Sequence, residues 1–140
     1  MLKIRPFQET DTDAIVTLWQ ACGLVKPWND PHKDIQRKLP VGREFFLVGE
    51  LNGEIVACAM GGYEGHRGWI NYLAVHPRQQ KMGYGRALMT HLEEMLTAVG
   101  CPKINLQIRE SNLDVIRFYQ AIGYTQDKVV SFGKRLIPDD

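Results

Sequence analysis

No apolar run in this sequence approaches the roughly 20 residues a membrane-spanning helix needs, so a membrane-embedded protein is not expected. An excess of either charge sign is lacking too. The 17 Lys and Arg nearly balance the 16 Asp and Glu, for a net charge of +1. That excludes nucleic-acid or membrane-surface binding driven by bulk charge. Cysteine is scarce: Cys22, Cys58 and Cys101 are odd in number, widely spaced and without a Cys-x-x-Cys pair. They read as reduced, buried thiols rather than a disulfide framework. The histidines (His32, His66, His76, His91) show no ligand spacing with cysteine or carboxylate, so no metal is expected. The start, Met1-Leu2-Lys3-Ile4-Arg5, alternates apolar and basic residues and lacks a signal-peptide core, which with the thiols predicts a cytoplasmic protein. No repeat, low-complexity tract or linker divides the chain, so residues 1–140 are expected to form one domain.

What is present alternates between strand and helix patterns. Leu2 to Phe7 reads as a strand. A helix follows from Thr10, with Asp13 giving a near capping box; Ile15, Leu18, Trp19 and Cys22 share its face, and Gly23 ends it. Pro27 and Pro31 mark a loop, Asp30 is a good N-cap, and a short helix runs to Leu39. Phe45 to Leu51 and Glu54 to Tyr63 flank Asn52-Gly53, a strong hairpin signal. Trp69 to Val75 is the next strand, and a helix carrying Leu88, Leu92, Met95, Leu96 and Val99 follows. Lys103 to Arg109 reads as a strand, Ser111 or Asn112 caps a last helix that Gly123 stops, and Val129 to Leu136 reads as a final strand. The expected fold is α/β (α+β mixed), with a mostly antiparallel mixed sheet of about six to seven strands and about four flanking helices.

The chemistry centres on Val75-His76-Pro77-Arg78-Gln79-Gln80-Lys81-Met82-Gly83-Tyr84-Gly85-Arg86. A strand enters a Gly-x-Gly turn that opens into a helix, so unpaired N–H groups and the positive helix end converge. Glycine lets the main chain approach a phosphate closely, and Lys81 and Arg86 add charge. No Gly-x-x-x-x-Gly-Lys-Ser/Thr P-loop exists, and Leu88 stands where a dinucleotide fingerprint needs its third glycine.

The surroundings of the glycine pair are more specific. Leu73-Ala74-Val75-His76-Pro77, then Gln80-x-x-Gly83-x-Gly85 with Arg86-Ala87-Leu88, resembles the cofactor motif of the GNAT superfamily of acyl-CoA-dependent N-acyltransferases. Asn112-Leu113-Asp114-Val115-Ile116-Arg117-Phe118-Tyr119, followed by Gly123-Tyr124, is similar to that family's later helix motif. Trp28-Asn29-Asp30-Pro31 and Met60-Gly61-Gly62-Tyr63 further resemble its YpeA-like bacterial branch.

The resemblance implies acetyl transfer from acetyl-CoA to a primary amine, on a small molecule or a protein, by direct attack in a ternary complex. It implies that Leu73, Ala74 and Val75 pair with the pantetheine arm as an added strand would. Gln80, Lys81, Met82, Gly83, Tyr84, Gly85 and Arg86 would hold the pyrophosphate, and Asn112 would contact the arm or serve as a plain helix cap. Tyr119 would be the general acid: a phenol with a pKa of about 10 can protonate a thiolate whose thiol titrates near ~8.5. None of the cysteines stands beside a histidine in a turn, so a covalent route is disfavoured.

Two departures qualify the resemblance. The strand glutamate that serves many members as base aligns with Asn71, and an amide takes no proton at neutral pH. Glu64 and His66, on the preceding turn, are the candidate substitutes. Gln80-Lys81 stands where arginine-glycine is commoner, shifting a cation by one residue. Trp28, Asn29, Tyr63 and Asn71 are the expected acceptor-side residues, with the Trp28 loop beside Tyr63. The alternatives are a catalytically silent CoA-binding sensor or regulatory module, favoured by Asn71, and a generic nucleotide-phosphate binder. An edge strand at Val129 to Leu136 could pair two copies into a homodimer.

Overall fold

Alternating side chains divide the strands between two cores, one on each face of a single sheet. A computed structural model describes residues Met1–Asp140. The elements are β1 (Lys3–Pro6), α1 (Thr12–Ala21), α2 (Pro31–Lys38), β2 (Phe46–Leu51), β3 (Glu54–Tyr63), β4 (Gly68–Val75), α3 (Tyr84–Ala98), β5 (Ile104–Leu106) and α4 (Leu113–Ala121). The sheet order is β1-β2-β3-β4-β5. The first four strands pair antiparallel, and β5 joins β4 in parallel. Asn52 and Gly53 both take positive φ, as a tight hairpin turn between β2 and β3 requires.

Phe46 and Val48 of β2 point into a core with Ile15, Trp19 and Ile35 of α1 and α2. Leu47, their neighbour, points to the opposite core with Leu88, Leu92 and Leu96 of α3 and Tyr119 of α4. A line of stacked rings runs through the first core. Phe7 lies 4.4 Å from Phe46, Phe46 lies 6.5 Å from Trp19, and Trp19 lies 3.7 Å from Tyr72. Each ring removed from water contributes about 1.5–3 kcal/mol, so this stack is a principal support of α1 on the sheet.

Asp30 caps α2 as expected, its Oδ1 accepting the N–H groups of His32 and Lys33. The start of α1 differs from expectation. A single 3-10 turn, Glu9–Asp11, precedes it, and Asp11 rather than Asp13 reaches back, accepting the Gln8 N–H at 2.8 Å. Asp11 is fixed there because Arg5 of β1 grips both its oxygens, at 2.8 and 2.9 Å.

The expected final strand at Val129 to Leu136 does not form, so the sheet has five strands rather than six or seven. Val129, Val130, Phe132 and Leu136 are all exposed, adjacent residues included, so the segment has no alternating face to bury. Side chains tether it instead. Asp127 meets Lys103, Ser131 meets Gln107, and Arg135 reaches Asn29. Asp139, its side chain only 3 % exposed, accepts the Asp30 N–H at 2.8 Å and pairs with Arg37 and Arg135. With no strand at this edge, the expected edge-to-edge pairing of two copies has no ladder to extend.

Candidate active site

Two adjacent strands part company, and the site lies where they do. β5 pairs with β4 only through Gly68, Trp69 and Ile70. From Asn71 to Val75, β4 runs on with no partner on that side, since its other edge is taken by β3. The free edge of Leu73, Ala74 and Val75 therefore offers main-chain groups to an extended ligand.

The free edge leads into the phosphate-cradle sequence. A 3-10 turn, Pro77–Gln79, is capped by His76, whose Nδ1 accepts the Arg78 N–H at 3.1 Å. The Val75 carbonyl is held twice, by the Gln80 side-chain amide at 3.1 Å and the Cys22 thiol at 3.3 Å. Gln80 thus anchors the loop with one side-chain N–H and keeps its main-chain N–H unpaired. Lys81 and Gly83 take left-handed φ of 65° and 84°, which turns successive amides toward one side. No N–H from Gln80 through Arg86 has an acceptor within the protein; the first helical bond, from Ala87, goes to Gly83. Such a run of unpaired donors at the uncapped start of a 15-residue helix has the geometry in which helix N-termini hold anions. Lys81, Met82 and Arg86 are exposed around it, and Tyr84 is half-buried at the first helical position. A shallow depression along α3, lined by Gly83, Arg86, Ala87, Thr90, His91 and Glu94, adjoins the cradle.

Opposite the free edge, α4 presents Tyr119. Its ring is 6 % exposed and lies edge-on to Phe118 and Tyr124, at 5.1 and 5.5 Å. Burial pushes the phenol pKa up, so it is protonated at neutral pH. The hydroxyl has no hydrogen-bond partner in the protein, yet the one fully enclosed side-chain polar atom left unpaired is Asn105 Oδ1. Tyr119 Oη therefore keeps contact with solvent and is free to donate. Asn112 is the N-cap residue of α4, but its side chain makes no capping bond and lies exposed.

A bulge in β4 shapes the other side. Cys58 pairs with Ala74 and Met60 with Asn71, so Tyr72 and Leu73 together oppose Ala59. Tyr72 takes φ 54°, a left-handed conformation costly for an aromatic residue. The extra residue reverses the parity of the strand. Ile70 faces the α3–α4 core, whereas Tyr72 faces the α1–α2 core and stacks on Trp19. Its hydroxyl donates to Asp34 Oδ2 on α2 at 2.6 Å. Neither Tyr72 nor Asp34 belongs to the sequence-derived site. A bulge leaves no local signature, and Asp34 becomes relevant only once the fold brings the first turn of α2 to the Tyr72 hydroxyl.

The other sequence candidates are dispersed. Glu64 and His66 lie on the β3–β4 turn, beyond the Gly68–Ile70 segment where β5 closes the cleft. Glu64 Oε1 accepts the N–H groups of Arg67 and His66, which hold its carboxyl below the usual range and leave it a weak base. Tyr63 donates to the Gly65 carbonyl in the same turn and packs on the α3 side, away from the Trp28 loop it was expected to join. Trp28, half-exposed, sits under Arg109, whose guanidinium carbon is 5.1 Å from the ring centroid. Asn29 accepts from Arg135 at 2.7 Å. Asn71 is exposed at the first unpartnered position of β4. Two of the thiols are poor nucleophiles: burial raises the pKa of Cys22 and pushes that of Cys58 to about 12. No group of three His, Cys, Asp or Glu side chains is arranged to hold a metal ion, and no helix is long and apolar enough to cross a membrane.

Comparison with known proteins accords with this geometry. The chain is 49% identical over 138 residues to an acetyltransferase of Pectobacterium atrosepticum, covering 99% of this chain and 98% of that one. The ribosomal-protein-S18-alanine N-acetyltransferase of Escherichia coli shares the fold with a TM-score of 0.76 at 26% identity, over 91% of this chain and 79% of the other. AAC(6')-Iy, solved with the bisubstrate analogue CoA-S-monomethyl-acetylneamine, matches with a TM-score of 0.78 at 16% identity, over 97% and 99%. The profile of the acetyltransferase (GNAT) family matches residues 12–124. The strand that parts from its neighbour, the unpaired amides after it and the tyrosine opposite are therefore carried by a chain that belongs to the GNAT family of N-acetyltransferases.

Proposed function

We propose that this protein transfers the acetyl group of acetyl-CoA to a primary amine, by direct attack with both substrates bound. The observation that carries the reading is the run of acceptor-less amides from Gln80 through Arg86, continuous with the free edge at Leu73 to Val75. These groups suit a pyrophosphate followed by an amide-bearing arm. Lys81 and Arg86 supply charge, and Asn112, exposed at the start of α4, is left to contact the arm. Acetyl-CoA supplies an activated acyl thioester. The residues of the chain hold it extended along β4 and keep a protonated phenol, Tyr119, for the departing sulfur.

The acceptor is an amine on a small molecule or on a protein. Relatives of this fold are named for both kinds, the alanine of a ribosomal protein and an aminoglycoside. Trp28, Asn29 and Asn71 border the acceptor side, at the α1–α2 loop and the first free position of β4. The test is acetyl-CoA affinity by calorimetry beside thiol release across a panel of amines. Tight binding with amine-dependent release is expected. Binding with no release for any amine would instead support a CoA-binding module without catalysis, a reading that the amide at Asn71 favours.

A further inference from the structure

We propose that Tyr72 and Asp34 form the relay that takes the proton from the incoming amine, in place of the carboxylate missing at Asn71. The inference rests on the acetyl-transfer reading above and adds two residues to it.

Tyr72 lies on the unpartnered half of β4, one residue past Asn71 and one before Leu73. It belongs with the α1–α2 core and Tyr119 with the α3–α4 core, so the two phenols flank the free edge from opposite faces. A group that accepts a proton from the nucleophile and a group that donates one to the leaving sulfur are required on different sides of the reacting carbon. The Tyr72 hydroxyl commits its only proton to Asp34 Oδ2 at 2.6 Å, which leaves the oxygen lone pairs to accept from an ammonium group. Asp34 is on the first turn of α2 and its side chain is 22% exposed, so a proton received there can pass to water. An aromatic residue held at φ 54° in a bulge costs stability, and here the result is a tyrosine turned away from the face its strand parity would assign.

Protons and bonds balance in this scheme. The ammonium gives one proton to Tyr72 Oη as the Tyr72 proton passes to Asp34 and then to solvent. The freed amine forms a C–N bond to the acyl carbon as the C–S bond breaks. Tyr119 protonates the sulfur, and the second amine proton restores Tyr119. Other charged groups facing the dyad are Arg37, 3.6 Å from Asp34, with Asp30 on the same helix and Asp139 and Arg135 from the C-terminal segment. Arg37 is shared between Asp34 and Asp139, so Asp34 is not neutralised by a dedicated partner.

Asp34→Asn separates this role from simple docking of α2 on β4, because an amide oxygen still accepts the Tyr72 hydroxyl but takes no proton. The thermal midpoint is expected to stay within about 4 °C of wild type and acetyl-CoA affinity within about twofold. With an alanine-leading peptide, a lysine peptide blocked at its N-terminus, and neamine as probes, thiol release is followed from about pH 6 to about pH 10. For the best probe, kcat/KM should fall about 100-fold at the acid end, the scale of a lost general base, and approach wild type as the amine deprotonates on its own. Tyr72→Phe, which keeps the ring on Trp19, should show the same pH-dependent deficit. Activity of Asp34→Asn equal to wild type, or reduced equally at every pH, overturns the relay alone. No thiol release by wild type with any probe overturns the acetyl-transfer reading and the relay with it.

Discussion

Gly85 of α3 is pressed against Phe118 of α4: a Cβ there would stand 3.2 Å from Phe118 Cζ and 3.6 Å from Val75 Cγ2. The second glycine of the cradle is thus a point of close contact between α3 and the helix that carries Tyr119. Gly85→Ala should push these elements apart, at a cost of about 1–3 kcal/mol in denaturant unfolding, and lower turnover by displacing Tyr119. Gly83 is a contrast, with no atom within 4 Å of its added Cβ but a φ of +84°. Gly83→Ala should cost about 1–2 kcal/mol as backbone strain and weaken acetyl-CoA binding, because relaxing φ turns the amides away.

Tyr119→Phe removes one hydroxyl that has no partner in the protein and leaves the packing with Phe118 and Tyr124 in place. Turnover should drop by about 100-fold with little change in acetyl-CoA affinity, measured by steady-state rates and calorimetry. An unchanged rate would remove Tyr119 from the acid role.

The Arg5–Asp11 pair makes stability depend on acidity. Arg5 holds the Asp11 carboxyl below its unfolded value, so its contribution is complete above about pH 4 and is lost as pH falls through the lower, folded value. Asp11→Asn should cost about 1–3 kcal/mol at neutral pH, the scale of a hydrogen bond to a charged group. Its deficit against wild type should shrink below about pH 4, in urea unfolding followed across pH.

Asp139 closes a second network, between the end of the chain and the Trp28–Pro31 loop. Arg37, then the Asp30 N–H and Arg135, hold its carboxyl far below the usual range. Asp139→Ala should free the segment after Tyr124, raising amide exchange from residue 125 onward and in the first turn of α2. Exchange in β2 and β3 should stay as it is.

The backbone geometry of the candidate cradle was legible in the chain because it is local. The cradle needs only a strand end, two glycines and a helix start in succession, and the amides from Gln80 through Arg86 have nowhere else to go. Asp30 as a cap and Asn52-Gly53 as a turn are likewise decided within a few residues. Tertiary structure decided what depends on register and packing. Glu64 had the right chemistry in sequence, but its turn folds around it and lies beyond the closed end of the cleft. Val129 to Leu136 has β-forming residues but no alternating face, and a strand needs both a neighbour and a side to bury. Tyr72 was undecidable by alternation because one bulged residue reverses the parity on which alternation rests. The unpaired amides after β4 follow from the local chain, whereas the pairing of Tyr72 with Asp34 was decided by a bulge that changes which face of the sheet the strand presents.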